Sequence, residues 1–344
     1  MKKLLLLCPV LGLLWSACSN EFDIAAPFKE IPVVYGIISP DDTAHYIRIE
    51  RAFIDPDASA YVVAKIADSL YYPANAISVF LQRVGNAQRY QLTRVDGNLE
   101  GYVRDEGTFA QSPNWLYKIK DSQLGGGLAD GLTYRLIIER ADGKPAITGE
   151  TTVPDTMMLI RPEPSVFTPR RINIAGSVPI VVEWRCRANA VIFDVYLNIR
   201  YREVAPNGSQ EMKSFRWKAA KNVLRENTVI GGGFYRGRSN FLATDFYNAL
   251  LQNIEPSTTL QRYFNGIDVI VEGAGPEIAA YQESEAVNSG LTGAEVTTSY
   301  TNLSEGFGIF TARKSWPFPN FELESKSVDS LNLDPKFRVL NFKG

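Results

Sequence analysis

The clearest pattern in the chain is a nine-residue alternation, Phe193-Asp194-Val195-Tyr196-Leu197-Asn198-Ile199-Arg200-Tyr201. Apolar side chains fall at every second position. The period predicts a strand with Phe193, Val195, Leu197, Ile199 and Tyr201 on the core and Asp194, Asn198 and Arg200 on the wet face. His45–Phe53 alternates in the same way, with Ile47, Ile49, Arg51 and Phe53 on one side. Val33–Ile38, Ile77–Arg83, Arg89–Val95, Trp115–Lys120, Thr133–Arg140 and Ile147–Val153 read as further strands. Turn clusters such as Asp96-Gly97-Asn98 and Asp142-Gly143-Lys144-Pro145 separate them. Short strands at this spacing predict an immunoglobulin-like β-sandwich over residues 31–153. Asp57–Ser69 reads as a long loop carrying a turn of helix.

Prolines 154, 162, 164, 169 and 179 then crowd together, so residues 154–177 read as a linker. A second, fibronectin-like β domain is expected over 178–344. It opens with Val178–Arg185 and pairs the nine-residue strand with Lys213–Lys218. Two helices are expected within it, near 244–254 and 276–287. The first has Thr244 as its N-cap candidate and the second has Pro276 at its first position. The last strong strand is Gly306–Ala312. A polar tail follows Trp316, with one further strand at Phe337–Phe342. The fold class is therefore mainly β, two sandwiches with helices inserted in the second.

The first eighteen residues, MKKLLLLCPVLGLLWSAC, follow a different logic. Lys2 and Lys3 precede an apolar run, Leu4–Leu14. As a helix that run would be about 16 Å long, roughly half a hydrocarbon core, so it suits a secretory signal and not a span. Ser16-Ala17 then leads into Cys18. The arrangement resembles a bacterial lipobox, in which the cysteine receives lipid and becomes the new N-terminus, although Trp15 stands where leucine is usual. Residues 1–17 are thus expected to leave as a signal peptide, with Cys18 as the lipidation site and 18–30 as a tether. Two or three acyl chains hold a protein stably on a membrane.

Charge narrows the partners. The chain carries net charge −2 and has no basic block; loss of Lys2 and Lys3 would take it to about −4. No nucleic-acid role is expected, since that chemistry shows as a clustered basic face. Of three cysteines, Cys8 leaves with the signal and Cys18 carries lipid. Cys186 is then alone and reads as a buried structural thiol.

Several pieces in order resemble a family of Bacteroidetes-type outer-membrane lipoproteins with no assigned activity. They are the lipobox cysteine, IPVVYGIISPDDTAHYIRIERAF, LADGLTYRLIIERADGKPAITGETTVP, VEWRCRANAVIFDVYLNIRY, GIDVIVEGAGPEIAAYQ and SYTNLSEGFGIFTA. The resemblance implies an outer-membrane location. Members are often encoded near TonB-dependent receptors, which implies an accessory role in uptake. The family offers no catalytic residues. Asp-Ser/Thr pairs before a small or aliphatic residue, at Thr43, Ser69, Thr156 and Ser330, resemble the O-glycosylation acceptors of the same bacterial group.

Little else suggests chemistry. His45 is the one histidine and reads as a surface or edge-strand residue. No metal-ligand spacing occurs, and no cofactor is expected. Gly231-Gly232-Gly233 lacks the Lys-Ser/Thr of a phosphate loop and reads as a turn. Asp41-Asp42 and Asp55–Asp57 read as turn carboxylates. Tyr71-Tyr72-Pro73 and Trp316-Pro317-Phe318-Pro319 lie in turn-like contexts, where the rings either cover the core or form a binding surface. The expectation is a non-enzymatic, lipid-anchored outer-membrane protein that binds a partner protein or nutrient beside a TonB-dependent transporter. The alternative is a structural or adhesive envelope lipoprotein.

Overall fold

The computed structural model describes residues 29–54, 59–163, 170–288 and 299–344. The signal segment, Cys18, nearly all of the tether and Asp55–Asp57 lie outside the described residues. The chain is mainly β, as its alternation predicts.

The first lobe contains β1 (Lys29–Ile38), β2 (Ala44–Ile54), β3 (Ile77–Arg83), β4 (Arg89–Gln91), β5 (Thr93–Asp96), β6 (Trp115–Lys120), β7 (Thr133–Arg140) and β8 (Ile147–Thr152). Two short helices, α1 (Ala60–Val63) and α2 (Ala67–Leu70), lie between β2 and β3. One sheet runs β1-β2-β6-β5 and the facing sheet β4-β3-β7-β8. The single strand expected over Arg89–Val95 is broken at Leu92. Leu92 is buried and its N–H donates to Val79 O at 2.9 Å. There the chain steps from one sheet to the other: β4 pairs with β3, and β5 with β6.

The second lobe contains β9 (Met157–Arg161), β10 (Arg171–Ile172), β11 (Ile180–Cys186), β12 (Ile192–Val204), β13 (Gln210–Leu224), β14 (Tyr235–Phe241), β15 (Gln261–Ala274), β16 (Phe307–Leu323) and β17 (Phe342–Lys343). Its sheets run β9-β11-β14 and β13-β12-β15-β16. With β4 and β5 counted as one strand and the short β10 and β17 set aside, both lobes have the same order. The first, second and fifth strands lie together, facing the fourth, third, sixth and seventh. This is the Greek-key order of an immunoglobulin-type sandwich.

Helix α3 (Ala243–Asn253) joins the fifth strand to the sixth, and α4 (Pro276–Asn288) follows the sixth. The N-cap of α3 is Leu242 and not Thr244; the Asp245 carboxylate accepts the Leu242 N–H at 2.8 Å. After β16 the tail departs from expectation. It forms α5 (Ser325–Leu333) and α6 (Pro335–Arg338), and only Phe342–Lys343 is strand. Val328, Leu331, Phe337 and Phe342 from this tail close the second core.

The boundary is tighter than a linker over 154–177. Residues 157–161 already form β9, so residues 153–156 lead directly from the last strand of the first lobe to the first of the second. A second connection comes from β16. Phe307–Ala312 lies parallel to Val33–Ile38 of β1, and Arg313–Phe321 then pairs antiparallel with β15. One strand therefore belongs to both lobes and makes a continuous sheet across them. Gly308 permits the close parallel approach. Its φ is +97°, and a Cβ there would stand 2.0 Å from Val34 O. Strand β16 continues far past Ala312. Pro317 and Pro319 fall where only one side of it is paired with a long neighbour, the setting in which strands tolerate proline.

Candidate functional site

The sequence-derived candidates lie far apart. Thr43 and Thr156 are exposed; Ser69, in α2, and Ser330, in α5, are half-buried. The Thr156 hydroxyl donates to Asp155, and the Ser330 hydroxyl to Lys326 O. Cys18 is outside the described residues. His45 is buried, contrary to the expectation of a surface residue, and its Nε2 lies 3.0 Å from Asp121 Oδ1. Asp121 also accepts the Leu128 N–H at 2.9 Å. These bonds tie β2 to the loop after β6.

Cys186 is fully buried, with Sγ near the carbonyls of Ala190 and Tyr235. Burial pushes its thiol up to about 12, so thiolate chemistry is suppressed. Gly231–Gly233 adopt positive φ in the turn that leads into strand β14, without a following helix. Tyr71, Tyr72 and Trp316 are buried, so they cover cores and form no exposed platform. Asp41 and Asp42 hold β16: Asp41 accepts the Ser315 N–H at 2.6 Å, and Asp42 lies 3.4 Å from Arg313. Lys314 pairs with Asp130 beside them.

Among the described residues no group of three or more His, Cys, Asp or Glu could hold a metal ion. Two buried polar constellations escaped the sequence. In the first lobe Arg104 donates to Glu50 at 2.7 Å and to the Tyr71 hydroxyl at 2.9 Å, while Arg48 reaches Glu50 and Asn114. In the second, Arg262 donates to Glu203 at 2.8 Å and to Leu340 O at 2.8 Å, pinning the tail. Burial works to raise the Glu203 carboxyl, but hydrogen bonds from Lys213 and Arg262 outweigh it and hold it below the usual range. Apart from Arg48 and Glu50, the partners are tens of residues apart, so no local motif reveals them.

At the seam, a crevice of about 220 Å³ opens between the continuous sheet and α4. Ile37, Ile192 and Ile278 make it apolar; Glu272, Gln282 and Arg313 supply polar groups. Its volume is below the roughly 300–1,000 Å³ of most small-molecule pockets. Beside it, the outer face of β13-β12-β15 is electrically matched. Lys218 lies 2.7 Å from Asp194, Arg216 2.7 Å from Glu272, and Arg200 2.9 Å from Asp268.

The outer face of β14-β11-β9 is not matched. Trp184 and Cys186 point inward, so Glu183 and Arg185 point outward. Arg185 stands directly opposite Arg236, and Glu183 opposite Arg238 and Arg161. Four arginines thus surround one carboxylate, which lies 3.3 Å from Arg236. Arg161, Arg185 and Arg238 are exposed. At the rim, Arg187 stacks 3.9 Å from the Phe234 ring and Arg225 3.6 Å from Tyr235. Such a row on an acidic chain can engage carboxylates or phosphates in bidentate fashion. Its signal in the sequence is faint: Arg185-Cys186-Arg187 and Arg236-Gly237-Arg238 repeat arginine at strand period.

No family model and no curated protein matches the chain. Among solved structures, one similar chain is the C-terminal globular domain of an oligosaccharyltransferase from Pyrococcus abyssi. It is 11% identical with TM-score 0.25, and the match covers 71% of this chain and 46% of that one. Another is the FN1–FN3 domains of chicken CNTN1, 10% identical with TM-score 0.15, covering 83% of this chain and 66% of that one. Neither likeness enters the arguments that follow.

Proposed function

We propose that the chain is a non-enzymatic, lipid-anchored outer-membrane lipoprotein that binds an acidic partner protein as an accessory to a TonB-dependent transporter. The anchor is the lipid on Cys18, supported by the basic start, the short apolar run and Ser16-Ala17 before it. The observation that carries the binding role is the arginine face of β14-β11-β9. Its guanidinium groups are exposed and outnumber their carboxylates, while the adjoining large sheet has its charges paired. Unmatched charge of one sign steers and orients an oppositely charged partner. A protein partner fits better than a nutrient, because the unmatched charge is spread over three strands of an exposed sheet face.

The test is recovery of partners from detergent-solubilised outer membranes with tagged wild type and Arg185→Glu/Arg238→Glu. Wild type should retain a receptor of the TonB-dependent class, less so as salt rises, and the double variant should lose it. Recovery of no partner, or equal recovery by both proteins, rejects the reading.

A further inference from the structure

Strand direction gives the molecule two ends. Strand β1 starts at Lys29, and β16, parallel to it, runs on into the second lobe. Lys29 therefore stands at the end of the first lobe farthest from the second. Strand β2 is antiparallel to β1, so Ile54 ends there too, opposite Lys29. The same end holds the loop through α1 and α2; of the loop 97–114 between β5 and β6, the part around Ala110 reaches it, while Glu100 and Tyr102 fold back over β2 and β6 onto Lys118 and Tyr46. The two loops are joined by the Ala110 N–H, which donates to Ala64 O at 2.8 Å. The first loop is fixed to β2 by Arg51, whose guanidinium donates to Asp68 O.

Large apolar side chains gather in these loops and remain in water. At this end Tyr61 is 74% exposed and Val62 62%, with Ile66 and Phe109 about half exposed. Such clustering marks a contact surface. Ten residues separate Cys18 from Lys29, a reach of at most about 35 Å when extended. On the lipid-anchor reading, on which this inference rests, the tether enters the lobe at this end and keeps it near the bilayer.

We infer that this end of the first lobe is a membrane-contact face, seated on the bilayer through Tyr61, Val62, Ile66 and Phe109. The second lobe, with its arginine face, points away from that surface. Aromatic and aliphatic side chains on exposed loops suit the headgroup boundary. Lys65 is exposed among them, as are Asp105 and Glu106, so the face suits a zwitterionic surface better than a strongly anionic one.

The test uses the full-length protein, purified from membranes and placed on phosphatidylethanolamine-rich vesicles that carry a diazirine phospholipid. Light then labels whatever touches lipid. Labelling over 59–67 and 108–110 should exceed that at Val178 and Leu333 by at least about fivefold. Those two residues are equally exposed but belong to the second lobe. Tyr61→Ser/Val62→Ser changes only exposed positions, so folding should persist while loop labelling falls to the second-lobe level. Equal labelling of both lobes, or loops that cross-link to a protein in native membranes and not to lipid, overturns the inference. Palmitate labelling of the same samples reports the anchor separately. A lipidated chain with unlabelled loops rejects the contact face alone; an unlipidated chain whose loops still take label from added vesicles rejects the anchor alone.

Discussion

In the second lobe the Trp184 indole fills the centre, resting on Gly237 with its ring centre 5.1 Å from that of Phe193. Phe246, Phe321 and Phe342 surround the same core. In the first lobe the ring most completely removed from water is Phe310, and Phe310 comes from β16, the seventh strand of the other lobe. The strand order is shared, but the source of the core is not. The second lobe supplies its own aromatics and covers them with α3, α5 and α6. The first borrows an aromatic and a strand, and spends its long loops on the Arg104–Glu50 network and an exposed apolar end. Common topology does not imply equal autonomy.

The sharpest way to break this comparison is to separate the lobes. A fragment ending at Val153 lacks β16 and should show no cooperative melting; a sharp calorimetric transition in that fragment would restore its independence. In the whole chain, heating should give one joint transition, because β16 cannot leave one lobe without disturbing the other. Trp184→Ala comes next, with an expected loss of about 3–5 kcal/mol on denaturant unfolding. It should lower the midpoint for both lobes together, and an effect confined to the second would count against a shared strand. Gly308→Ala should cost about 2–3 kcal/mol, since a left-handed φ and a carbonyl contact are both violated.

Much of this was readable from alternation. The β12 side chains Phe193, Val195, Leu197, Ile199 and Tyr201 all face the core, because a period of two leaves a half-buried strand few choices. The extension of β16 was hidden, because Trp316-Pro317-Phe318-Pro319 carries the composition of a turn while its paired side is all that the sheet requires. The helical tail was hidden because tertiary packing of Val328, Leu331 and Phe337, and not local propensity, decides it. The arginine face was hidden because its members lie on three strands. Cys18, the strongest feature of the sequence, lies outside the described residues.

Two smaller effects sharpen the contrast. Burial works to raise the Asp194 and Asp268 carboxyls, but for Asp194 bonds from Lys218 and the Asn222 N–H outweigh it. For Asp268 the Asn320 N–H, Asn198 and Arg200 do the same. Both carboxyls thus titrate below their unfolded values. Their contribution is present above the unfolded pKa of about 3.9 and is lost as pH falls through the lower folded values. Acid titration followed by amide exchange should therefore loosen the β12–β15 region only below about pH 4, and loosening at pH 6 would contradict the pairing. Smallest of all, native Cys186 should react with a thiol reagent at pH 8 only as fast as the lobe opens, and stoichiometric labelling within seconds would show an access route to the core.

The sharing of β16 also sets a schedule. Asp41, in the turn that ends β1, waits for Ser315, 274 residues later. A chain leaving the ribosome with its N-terminus first presents β1 long before β16 exists. For that interval one flank of the first lobe is an open template for any passing strand. The polar turn Ser39–Asp42 beside it and the late arrival of Gly306-Phe307-Gly308 make the end of synthesis, and not its beginning, the moment at which the first lobe becomes complete.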